Sequence, residues 1–110
     1  MTTIIFTAYN NSYTATPEFG RYPNGRLAIR MVDEEDGSPV CTLTTNLPDQ
    51  HLNEGEVFIK HWAENQPIFD AMMEFGWLRD TGREVISAYV EPKAMTLDGP
   101  LAEAYRTWTE

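Results

Sequence analysis

Basic side chains are the scarcest charged class in this chain: 8 Lys and Arg stand against 17 Asp and Glu, a formal net charge of −9 over 110 residues. Such a field repels phosphate backbones and anionic headgroups, so neither direct nucleic-acid binding nor attachment to a membrane surface is expected. Cysteine is nearly absent too. Cys41 stands alone, which rules out an internal disulfide and suits a reducing compartment. His51 and His61 lie ten residues apart with no C-x-x-C or H-x-x-x-H spacing, so no metal site is expected. No apolar run approaches the roughly 18 residues that span a bilayer. The start MTTIIFTAYN lacks the basic and apolar regions of a signal peptide, and the cytoplasm is the expected location.

The motifs of catalysis are missing as well. Neither a G-x-S-x-G elbow nor a cysteine-nucleophile signature occurs, and no phosphate-binding or dinucleotide-binding glycine loop is present. No cofactor is therefore expected, and enzymatic activity is not. Glu54 and Glu56 are close enough in sequence for acid and base work, but among 17 acids such pairs arise by chance. Asp33, Glu34, Glu35 and Asp36 offer oxygen ligands yet lack the calcium-loop pattern and its distal glutamate, and a solvated turn is the better account.

What the chain does contain is the material of one core. Its length fits a single domain, residues 1–110, and its 42% apolar content with 13 aromatic residues supports folding without disulfides. Alternation predicts a strand over Thr2 to Tyr9, with Ile4, Phe6 and Ala8 on one face. Residues 10–25 hold Pro17, Gly20, Pro23 and Gly25 and read mostly as loop, with Tyr13, Phe19 and Tyr22 covering the core. Residues 26–45 read as a β-hairpin turning at Asp33-Glu34-Glu35-Asp36-Gly37. Further strands are expected over 56–62 and 84–90. A helix is expected over 66–75, capped by Asn65, with Ile68, Ala71, Met72 and Phe75 on its apolar face; a second runs from Leu101 to Trp108. The expected fold is α+β: a mostly antiparallel sheet of about four to five strands with one or two helices packed on one face.

Charge placed beside aromatics is the remaining signal. Asp33, Glu34, Glu35 and Asp36 crowd a hairpin tip, Asp49, Glu54 and Glu56 surround the next loop, and Glu64, Asp70 and Glu74 lie near the helix. Acids sharing a face would engage lysines and arginines of a partner, with Tyr13, Tyr22, Trp62 or Trp77 as anchors. The bland account is that net charge keeps a small protein soluble and that the tryptophans are core.

The segments Tyr22-Pro23-Asn24-Gly25-Arg26-Leu27-Ala28-Ile29, Asn46-Leu47-Pro48 and Glu54-Gly55-Glu56-Val57-Phe58-Ile59-Lys60, in this order around the acidic turn, resemble a family of small uncharacterised proteins carried by bacterial phages and plasmids. The resemblance covers roughly residues 22–90 and carries no catalytic residue. It implies a mobile-element accessory protein, similar in size and charge to anti-CRISPR proteins that occlude a nucleic-acid-binding surface. The leading expectation is a non-enzymatic inhibitor that meets the basic surface of a host nucleic-acid-binding complex through Asp33, Glu34, Glu35, Asp36, Glu54 and Glu56. Two alternatives stay open: a homodimer pairing through a β edge or exposed aromatics, and an enzyme of unfamiliar type, for which His61 beside Trp62 is the one faint candidate.

Overall fold

The structure is a computed structural model and describes residues 2–83, Val85 and 91–110. Strands β1 (Ile4–Ala8), β2 (Asn11–Arg21), β3 (Leu27–Asp33) and β4 (Pro39–Thr42) form one antiparallel sheet in that order. Strands β5 (Glu56–Ile59), β6 (Leu78–Asp80) and β7 (Lys93–Leu97) form a second, with β7 in the middle. Helix α1 (Gln66–Glu74) follows a 3-10 turn at Ala63–Asn65, and α2 (Gly99–Thr109) closes the chain. The α+β class is as expected, but the described strands number seven in two sheets rather than four to five in one. A short stretch after β4 joins the sheets. The Leu43 amide donates to the Ile29 carbonyl at 2.8 Å, while the Lys60 amide donates to the Leu43 carbonyl at 2.9 Å and Thr45 to Phe58 at 3.0 Å.

One core fills the space between the layers. Ile4, Phe6, Ala15, Ile29 and Met31 come from the first sheet, Leu43 from the stretch that joins the sheets, Val57, Ile59, Leu78 and Met95 from the second sheet, and Ile68, Met72 and Leu101 from the helices. The β1 alternation is borne out, with Ile4, Phe6 and Ala8 buried and Ile5, Thr7 and Tyr9 exposed. So is the hairpin, where Gly37 takes φ +73° and its amide reaches the Asp33 carbonyl at 2.9 Å. Its second strand ends at Thr42, however, where Leu43 and Thr44 keep their bonds to Ile29 of β3 while residues 43–45 also meet β5.

The loop expected over 10–25 is instead mostly β2, the longest strand. Pro17 is tolerated there because of parity. The Glu34 amide donates to the Thr14 carbonyl, so even-numbered residues of β2 turn their backbone groups toward β3 and Pro17 turns toward β1. Pairing with β1 ends at Ala15, and the Thr2 carbonyl that comes next accepts from Thr16 Oγ1 at 2.7 Å, so the donor that proline lacks is replaced by a side chain. Asn65 also departs from expectation. It precedes α1, but its side chain makes no cap; Nδ2 donates to the Thr42 carbonyl at 2.9 Å and ties the helix start to β4. Phe75, expected on the buried face, is the residue just past the last turn of α1 and is 56% exposed. The strand expected over 84–90 lies, but for Val85, outside the described residues.

Candidate functional site

Residues 22–29, 44–50 and 58 build a joint between loop and sheet. Arg26 donates from Nη1 to the Leu47 carbonyl and from Nη2 to the Gln50 carbonyl, both at 2.7 Å, with its guanidinium over the Phe58 ring at 5.9 Å. Asn24 Nδ2 donates to Asn46 Oδ1 at 3.1 Å, and the Tyr22 amide closes a turn onto the Arg26 carbonyl. Tyr22 Oη lies 3.0 Å from Thr44 Oγ1, which accepts from the Ile29 amide. These residues are consumed in holding loop to sheet.

Glu56 belongs to the same end. Its side chain is 6% exposed and accepts from Arg83 Nη2 at 2.8 Å and from the Asn53 amide at 2.8 Å. The bonds from Arg83 hold its carboxyl below the usual glutamate range, against the opposing effect of burial. Glu54 is exposed beside it. Because β4 leads away from the hairpin tip and Thr44 pairs with Ile59 in antiparallel sense, β5 starts at the far end and runs back toward the tip, so Glu54 and Glu56, at its start, lie far from Asp33–Asp36. The six expected binding acids therefore fall at two ends of the molecule.

At the other end the acids gather. A groove of about 680 Å³ runs between β1 and α1, lined by Ile5, Thr7 and Tyr9 on the strand and Gln66, Asp70 and Glu74 on the helix, with Phe75 at its end. A second cavity of about 300 Å³ shares Phe6, Ala8 and Tyr9 with it and reaches Glu64, Asp33 and Ser38. The two concavities thus join the hairpin tip to the helix acids, and among the described residues neither lining contains a Lys, Arg or His. In the tip, Asp33 Oδ1 accepts from the Glu35 amide at 2.8 Å and Asp36 Oδ1 from the Ser38 amide at 2.9 Å. Bonding from Ser38 holds the Asp36 carboxyl below its ordinary range, so it stays ionised. Tyr9 sits between the concavities at 75% exposure with φ +52°, a left-handed conformation that non-glycine residues seldom take.

Nothing in the described residues resembles a catalytic constellation. Cys41 is half-buried in β4, and burial pushes its thiol up to about 11, which suppresses the nucleophilic thiolate. His61 Nε2 is 2.7 Å from the Glu91 carbonyl and its ring packs on Trp62 and Phe69, so it is engaged in packing. Trp77 is core at 3% exposure, and Trp62 is half-buried. No group of three or more metal-ligating side chains occurs among the described residues, and no described helix is long and apolar enough to cross a membrane. Comparison with known proteins returns no matching family model, no matching curated protein and no matching solved structure.

Proposed function

We propose that this chain is a non-enzymatic protein-binding module that engages a basic surface of a nucleic-acid-binding partner through the acidic end built by the hairpin tip, Glu64, Asp70 and Glu74. The observation that carries this reading is the separation of charge. Of the eight basic residues, Arg30, Arg79, Arg83 and Lys93 each pair with an acid, Arg26 is spent on carbonyls, Arg21 lies over the Trp108 ring at 5.3 Å and Arg106 lines a separate cavity on α2, which leaves Lys60, whose charge reaches Cys41, as the cation nearest the acidic end. The excess carboxylates at the Tyr9 end face solvent with no cation in the adjoining linings. Such a field raises the encounter rate with a cationic surface and repels nucleic acid that competes for it. Bound over a nucleic-acid channel in a bacterial cytoplasm, the module would act as an inhibitor of the anti-CRISPR kind.

Affinity capture of the tagged protein from a bacterial extract, at low and at high salt, tests the reading. A stoichiometric nucleic-acid-binding partner retained at low salt and shed at high salt is the expected result. Recovery of the protein alone, or only with itself, would count against it.

A further inference from the structure

Sheets protect their edges by shortness, proline, bulges, charge or cover, because an open edge presents unpaired backbone groups to any passing strand. Three of the described edges follow this rule. β4 has four residues, begins with Pro39 and pairs with β3 through a register shift; β6 has three residues, two of them Arg79 and Asp80; β5 is covered by the Thr44 bridge. β1 is short, and α1 packs beside it, but a groove stays open between strand and helix and the strand carries no charge, proline or bulge of its own. Ile4-Ile5-Phe6-Thr7-Ala8 is uncharged, contains no proline and pairs only with β2 among the described residues.

The pairing parity shows which groups are open. Ala8 and Asn11 flank the two-residue turn at Tyr9-Asn10 and bond to each other across it, so Ile4, Phe6 and Ala8 turn their amides and carbonyls toward β2. Ile5 and Thr7 then turn theirs outward, along the groove that Asp70 and Glu74 border from α1. We infer that this edge is a docking site for an extended cationic segment of the partner protein, which adds to β1 as a further antiparallel or parallel strand and places its basic side chains over α1. The occupant follows from charge and spacing. Asp70 and Glu74 are four helical positions apart, about 6 Å along the axis, and residues i and i+2 of a strand are about 6.6 Å apart. Basic residues at alternate positions of one strand face meet both acids, and the intervening side chains lie toward Ile5 and Tyr9, which are 63% and 75% exposed. A second copy of this chain would bring its own Asp70 and Glu74 against the same acids, so self-pairing is disfavoured by charge. The proposal rests on the acidic-module reading and names its binding face.

The test is a titration of the intact protein with a decapeptide of alternating lysine and valine, with oligolysine as the control for charge alone, read by amide hydrogen exchange and by affinity. The alternating peptide is expected to slow exchange at the Ile5 and Thr7 amides at least tenfold. Thr7→Pro, which removes an outward amide and no internal bond, should weaken it at least tenfold, and Asp70→Lys with Glu74→Lys should do the same without touching the strand. Tight binding with unchanged Ile5 and Thr7 exchange would overturn the edge site and leave the acidic module standing. Failure of the wild-type protein to bind either cationic peptide would overturn both. Protection that rises with protein concentration in the absence of peptide would assign the edge to a second copy and overturn the proposed occupant.

Discussion

At the scale of single residues, two side chains show how differently this sequence spends its acids and aromatics. Glu56 looks from the sequence like one more surface carboxylate, yet Arg83, 27 positions later, turns it into a nearly covered ion pair. A carboxylate whose pKa is lowered on folding adds stability above its unfolded value, near 4.5, and loses it as pH falls through the folded value. The wild-type protein is therefore expected to lose stability below about pH 4.5, and Glu56→Ala to flatten that part of the acid limb while costing about 1–3 kcal/mol at neutral pH; urea unfolding across pH measures both. Tyr9 is the opposite case, an exposed aromatic held in a left-handed turn position next to Asn10 at φ +65°. Asparagine tolerates that conformation far better, so Tyr9→Asn should raise stability by about 0.5–1 kcal/mol in denaturant unfolding. Partner binding should weaken in the same variant, as befits a strained residue placed at a binding surface.

At the scale of elements, legibility tracked how local the determining contacts are. β1 and the β3–β4 hairpin were readable because their alternation and turn chemistry are contained in adjacent residues. β2 was hidden by Pro17 and Gly20, whose acceptance depends on where the neighbouring strand stops. β7 was hidden for another reason: Lys93, Ala94 and Met95 are weak strand formers, and Ala94 and Met95 are both fully buried, so the central position erases the alternation that marks a half-buried strand. The start of α2 shows a close approach that composition does not announce. A Cβ on Gly99, which has φ +48°, would fall 2.7 Å from the Gly76 carbonyl oxygen. Gly99→Ala should therefore destabilise the protein by about 1–3 kcal/mol, seen as a lowered thermal midpoint, whereas alanine at the neighbouring Pro100 position meets no such constraint.

At the scale of the whole molecule, the candidate site was half legible. The acids of the hairpin tip are consecutive and visible, but their union with Glu64, Asp70 and Glu74 depends on α1 packing beside β1, a contact between segments some 60 residues apart in sequence. Glu54 and Glu56 were grouped with the tip by sequence and are separated from it because β5 starts at the far end. That separation supplies the most direct test of whether the acidic end, rather than net charge, binds the partner. Capture should be repeated with two charge-matched double variants, Glu34→Lys with Glu35→Lys at the Tyr9 end and Asp49→Lys with Glu54→Lys at the other. Loss of the salt-sensitive partner with the first variant and its retention with the second is the predicted result. Equal loss with both would mean that the protein acts through overall charge alone and would contradict a localised acidic binding face.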